Sequence, residues 1–221
     1  GDSDYTNDYG VTVNADNISV EQGGKISADG KGYSRGNGIG FNNDASAYGG
    51  YGANNSGTPY GDIYEPDDLG SGGGTINNGG QKGGGAFKLV VSGTLSNNGS
   101  IQSNGLNSAG CHSGGATGGS IWIDTNELVG AGTISATGAK GECNGNGGSG
   151  GRIAIYYAED NSSVLSSLMT ETPKVTAYGG PGGWGNVYGG PGTVYTQNIN
   201  DTHGDLRIDN RGTTGYSADF Q

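Results

Sequence analysis

Three stretches of this chain repeat one phrase: a short apolar strand, a second short strand, then a glycine-rich run. Phe87-Lys88-Leu89 leads to Ser100-Ile101-Gln102-Ser103-Asn104-Gly105. Ile121-Trp122-Ile123 leads to Thr133-Ile134-Ser135-Ala136-Thr137-Gly138, and Ile153-Ala154-Ile155 leads, after an insertion, to Val175-Thr176-Ala177-Tyr178-Gly179. The first strands begin 34 and then 32 residues apart. A fixed period of this size marks stacked repeat units, each burying its apolar face against its neighbours. The expected fold is all-β: a right-handed parallel β-helix, or solenoid, of about five irregular coils.

The remaining sequence is assigned around those repeats. Val11-Thr12-Val13, Ile18-Ser19-Val20 and Lys25-Ile26-Ser27-Ala28-Asp29-Gly30 make a first coil; Thr193-Val194-Tyr195 and Leu206-Arg207-Ile208 make a fifth. Residues 1–221 form one domain, with 1–10 an N-terminal extension, 31–84 a long Gly/Asn/Tyr-rich loop excursion and 213–221 a tail or cap. Unstructured loops beyond about 12–15 residues are uncommon in compact domains and usually carry function or pack separately. Strand alternation points Ile121 and Ile123 inward, and places Lys88, Trp122, Ala154 and Tyr195 on the outer face.

Cys111 and Cys143 lie 32 residues apart, one repeat. Equivalent positions on neighbouring strands stack roughly 4.8 Å apart, within the range of about 4.4–6.8 Å between Cα atoms that a disulfide requires. A Cys111–Cys143 bridge follows, and with it an oxidising, extracellular or cell-surface setting.

Glycine supplies 51 of 221 residues and hydrophobic residues only 30%, so the core must be thin and backbone ladders must carry much of the structure. Net charge is −11 with ten scattered basic residues, which excludes nucleic acid as a partner because phosphate binding needs clustered Lys and Arg. No run reaches the roughly 18–20 apolar residues of a membrane span. No basic and apolar leader opens the sequence, so Gly1 reads as the start of a mature or trimmed chain.

The chain resembles the secreted, glycine-rich repeat proteins that form parts of long surface polypeptides in bacteria and microbial eukaryotes. The resemblance rests on Tyr60-Gly61-Asp62 through Asp68-Leu69-Gly70-Ser71-Gly72-Gly73-Gly74, Gly118-Gly119-Ser120-Ile121-Trp122-Ile123, Gly151-Arg152-Ile153-Ala154-Ile155-Tyr156-Tyr157 and Gly190-Pro191-Gly192-Thr193-Val194-Tyr195, and covers roughly residues 11–212. It implies a β-solenoid in an extracellular setting and no particular reaction.

Two acidic segments carry oxygen ligands at spacings that suit calcium: Asp2, Asp4 and Asp8 at the start, and Glu65, Asp67 and Asp68 at the neck of the excursion. Alternatively both are solvated turns. Trp122 and Tyr195 on one outer face, with Trp184, Tyr178 and Tyr188 in the Gly-Pro loops, are candidate platforms for stacking on a polysaccharide. The same rings would equally fill space between the excursion and the sheet wall. Asn17, Asn54, Asn98, Asn161 and Asn200 head Asn-x-Ser/Thr sequons, the acceptor pattern for glycosylation.

Polysaccharide cleavage would need paired carboxylates or a basic proton acceptor. The available pairs are Asp124 with Glu127 and Asp205 with Asp209; Arg152 and Lys88 lie by the strand face, and His112 and His203 have no metal-ligand spacing. No catalytic residue is assigned. The expected function is a non-enzymatic structural or adhesive module that associates with itself or with neighbouring modules, as in a surface filament or matrix. The alternative is a carbohydrate-binding module of a larger secreted protein.

Overall fold

The computed structural model describes residues 10–75, 79–185 and 187–213. Eleven strands run in the order β1 Val11–Ala15, β2 Ile18–Val20, β3 Lys25–Ser27, β4 Ala86–Asn97, β5 Ser100–Gln102, β6 Ser120–Gly130, β7 Thr133–Ser135, β8 Arg152–Ser162, β9 Val175–Thr176, β10 Thr193–Asn198 and β11 Asp205–Arg207. They divide between two sheets: seven strands in the path β1-β4-β6-β8-β10-β11, with β2 also beside β4, and four in the order β3-β5-β7-β9.

The repeat sets the register. Phe87 pairs with Ile121, Ile121 with Ile153, and Ile153 with Val194, all between parallel strands. In the small sheet Ile26, Ile101, Ile134 and Val175 line up in the same way. These two apolar ladders meet in one core, where Leu89, Ile101, Ile121, Ile123, Leu128, Ile134, Ile153 and Ile155 are wholly buried. Alternation of β-branched residues with polar ones builds these strands, because every second side chain then faces the opposite sheet.

The expected closed, right-handed five-coil β-helix does not form. The strands lie in two separate sheets, the larger of which mixes parallel and antiparallel pairs, and no closed solenoid is present among the described residues. Three features cause the departure. β1 and β2 both pair with β4, so the first segment places two strands against one neighbour. After β10 the chain turns back, and β11 pairs antiparallel with it, Tyr195 opposite Leu206. Leu206 and its neighbours therefore add no rung to the small sheet, as a fifth coil requires.

The third departure is chemical. The glycine runs are extended but lie outside both sheets, joined through single hydrogen bonds to several neighbours. Gly70 N–H donates to Gly84, Gly84 to Thr117, Gly118 to Ser149 and Gly150 to Gly190, at 2.9–3.1 Å. The segments are so close that a Cβ on Gly151 would fall 2.1 Å from the Gly119 carbonyl oxygen, inside any van der Waals contact. Glycine here replaces a side-chain core with a backbone lattice, which explains how a chain of low hydropathy orders itself. Gly130 serves a different purpose: at φ +102° it ends β6 in a conformation other residues rarely adopt.

The excursion, residues 31–84, lies against the starts of β6, β8 and β10. Ser120 Oγ donates to the Asp68 carbonyl at 2.6 Å and also bonds the Tyr48 hydroxyl. Tyr48 and Tyr60 pack ring to ring with centroids 4.6 Å apart. Helical structure in the described residues is limited to short 3-10 turns, among them Ser166–Met169 in the insertion after β8.

Candidate functional site

The disulfide is present. Cys111 and Cys143 are bonded, with Cα atoms 4.8 Å apart, so the bridge joins two adjacent glycine-rich loops.

The five candidate aromatic residues separate into two groups. Trp122 and Tyr195 do stand on the outer face in register with Lys88 and Ala154, but that face is covered. Lys88 Nζ sits 3.1 Å from the centre of the Trp122 ring. Tyr195 is only 7% exposed, with Tyr64 edge-on at 4.9 Å and Tyr156 at 5.8 Å. Tyr156 donates its hydroxyl to the Tyr64 carbonyl, and burial pushes its pKa up to about 12. Tyr195 and Tyr156 attach the excursion to the sheet through Tyr64, while Lys88 lies over the Trp122 ring.

Tyr178, Trp184 and Tyr188 lie in the segment that joins β9 to β10. Trp184 is 76% exposed and adopts φ +47°, a conformation unusual for a bulky residue. Tyr178 and Tyr188 line a groove of about 340 Å³ together with Thr137, Thr176, Asn210 and Arg211. Asn210 fixes its rim: its side-chain oxygen accepts from Gly179 N–H at 2.8 Å, and its amide donates to the Gly189 carbonyl at 2.9 Å.

Of the proposed calcium ligands, Asp2, Asp4 and Asp8 fall outside the described residues. Glu65 and Asp67 are exposed and Asp68 is half-buried. Among the described residues no group of three or more His, Cys, Asp or Glu side chains is placed to hold a metal ion. Asp62, missed in the sequence, shapes this neck by accepting the backbone N–H groups of Tyr64 and Glu65 at 2.6 and 3.0 Å.

Burial raises the pKa of Asp68, and the charge of Asp67 adds to the rise. A carboxyl with a raised pKa favours the protonated fold, so stability falls as pH climbs from 3.8 through the elevated value. Asp68→Asn is therefore expected to stabilise the protein at pH 7 and to change little below pH 3.8, where both states hold the proton. Urea unfolding at the two pH values checks this; equal effects at both would refute it.

The carboxylate pairs are occupied elsewhere. Glu127 accepts from Thr94 Oγ1 and Asn161 Nδ2, both at 2.8 Å, which lowers its pKa, Asn161 contributing most. Asp209 holds Arg207 at 2.6 Å. His112 and His203 are exposed. Arg152 is fully buried and faces the excursion, its Nε and Nη2 donating to the Tyr60 carbonyl at 2.9 and 2.8 Å. The sequon residues Asn17, Asn54, Asn98, Asn161 and Asn200 are all exposed. Three of them also act as stack ties: Asn161 through Glu127, Asn17 by accepting Thr94 N–H at 2.8 Å and Asn98 by accepting Ala131 N–H at 3.3 Å.

One end of the stack is apolar. β1 and β3 are outermost strands of their sheets. Val11 and Val13 continue the buried ladder positions Phe87 and Leu89, yet are 65% and 40% exposed. With Ile26, Ala28, Leu69 and Phe87 they line a groove of about 320 Å³. The opposite end is different. There β11 covers β10, and a groove of about 850 Å³ mixes Leu206, Ile208 and Met169 with Asp160, Asp205 and Arg207.

No family model matches this chain, and neither a curated protein nor a solved structure shows similarity to it. No helix among the described residues is long and apolar enough to cross a membrane.

Proposed function

We propose that this chain is a non-enzymatic extracellular structural module that joins a second copy of itself through the β1–β3 end of its sheets. The observation that carries this is the exposure of Val11 and Val13, which occupy core ladder positions on a strand that is paired on one side only among the described residues. An unpaired apolar edge strand is a template for another strand, and burying a valine side chain contributes about 1.5–3 kcal/mol. The other end of the large sheet is a three-residue antiparallel strand, β11, beside a groove lined by Asp160, Asp205 and Arg207, so the favoured partner surface is the apolar end of a second copy, β1 beside β1 around a two-fold axis. Such a contact closes on itself and stops at two copies. The Cys111–Cys143 crosslink supports an oxidising compartment.

Sedimentation velocity tests the assembly. The wild type is expected to form a concentration-dependent dimer, and Val13→Lys to be monomeric with an unchanged melting temperature. A wild type that stays monomeric at about 100 µM, where a micromolar contact would be populated, would overturn the proposal. So would a V13K variant that still dimerises.

A further inference from the structure

We propose that the groove between Tyr178 and Tyr188 binds an acidic saccharide, a pyranose carrying a carboxylate of the uronate type. Its volume of about 340 Å³ falls at the lower end of the roughly 300–1,000 Å³ typical of small-molecule sites. The wall chemistry then narrows the ligand.

In a chain of net charge −11, no carboxylate among the described residues lines this groove, and the one charged lining group among them is Arg211. Its guanidinium carbon lies 4.4 Å from the centre of the Tyr178 ring. That guanidinium has no ion pair among the described residues. Asp209, two positions away, accepts the Arg211 backbone N–H at 2.8 Å and gives its other oxygen to Arg207 at 2.6 Å. A guanidinium lying over a ring, with no side-chain acceptor among the described residues, is a fork for a carboxylate.

The remaining walls supply what a sugar ring needs. Tyr188 is 37% exposed and offers an aromatic face for the C–H surface of a pyranose. The Tyr178 hydroxyl is buried with no hydrogen-bond partner among the described residues, an uncommon state, and its ring forms the wall beneath Arg211. Thr137 is held in place by Asn104, its backbone N–H and hydroxyl bonding Asn104 Oδ1 at 2.8 and 2.9 Å. Asn210, bonded on both sides, holds the turn that carries Arg211. The groove is thus formed before any ligand arrives. It lies by β7 and β9, away from the β1–β3 end, so either proposal can fail alone.

Isothermal titration with trigalacturonate, neutral galactotriose and a glutamate tripeptide as probes provides the test. The wild type is expected to bind trigalacturonate at least tenfold more tightly than the neutral trisaccharide, and more weakly as salt increases. Arg211→Gln should abolish that preference, and Tyr188→Ala should weaken trigalacturonate at least tenfold, with melting temperatures unchanged. Absence of trigalacturonate binding at millimolar concentration would overturn the proposal. Equal binding of the two trisaccharides, equal binding of the tripeptide, or an R211Q variant that binds like the wild type would do the same.

Discussion

Replacing Cys111 and Cys143 together by serine is expected to lower stability by about 3.7 kcal/mol, the chain-entropy value for a closed loop of this length. The two cysteines are 32 residues apart, so the bridge encloses one full repeat. At roughly 2–4 °C per kcal/mol for a domain of this size, the melting temperature should fall by about 7–15 °C. Reduction of the wild type should reproduce the shift, and the doubly substituted variant should be insensitive to reductant. The effect is large here because the joined loops contain few apolar side chains. They are held by scattered backbone hydrogen bonds, such as Ser108 to Lys140 and His112 to Glu142. Thermal melts with and without reductant decide it: identical curves, or titration of two free thiols in the native protein, would show that no bridge contributes.

The same bridge shows what was legible in the sequence. A period of 34 and 32 residues sets Phe87, Ile121 and Ile153 side by side, and the pairing of these residues, the core ladder and the cysteine contact all follow from it. Register is a local property of spacing and alternation, so sequence carries it. How the rungs close is not local. The turn-back at β11 and the pairing of both β1 and β2 with β4 depend on which neighbour is within reach. Nothing in Leu206-Arg207-Ile208 distinguishes an antiparallel return from a new rung. The glycine runs were equally mute, because a segment without side chains shows no periodicity.

The functional surfaces divide along the same line. Outward register places Trp122 and Tyr195 on one face, but alternation says nothing about what covers a face: the excursion lies on Tyr195 and Lys88 on Trp122. Val11 and Val13 read as ordinary ladder positions; their exposure comes only from being last in line. Arg211 sits in an unremarkable turn sequence, and its value arises from Tyr178, more than thirty residues earlier, lying beneath it. Glu65, Asp67 and Asp68 looked like a ligand set, yet one of the three turns partly inward while the others remain in solvent.

Arg152→Ala is expected to cost about 2–4 kcal/mol, with the loss concentrated in the excursion. The guanidinium is wholly buried where neighbouring strands place Ser120 and Thr193. Burial depresses its pKa, opposed by Tyr48 and then Asp62 and Asp68 nearby. It makes two donations to the Tyr60 carbonyl and one to Thr193 Oγ1 at 3.4 Å, and the Tyr48 ring lies 5.7 Å away. Hydrogen bonds to charged groups contribute about 1.5–3 kcal/mol each, and the truncation also leaves a cavity. Relief of the buried charge offsets part of this, which sets the net figure below the sum. Lysine reaches the same carbonyl with one donor instead of a fork, so Arg152→Lys should fall between alanine and wild type. Hydrogen exchange separates a clamp from a generic core contact. In R152A the amides of residues 47–60, including Ala47, Tyr48 and Tyr60, should lose protection while Ile121 and Ile153 keep theirs. Uniform loss across both sheets, or unchanged protection throughout the excursion, would show that Arg152 does not hold this segment in place.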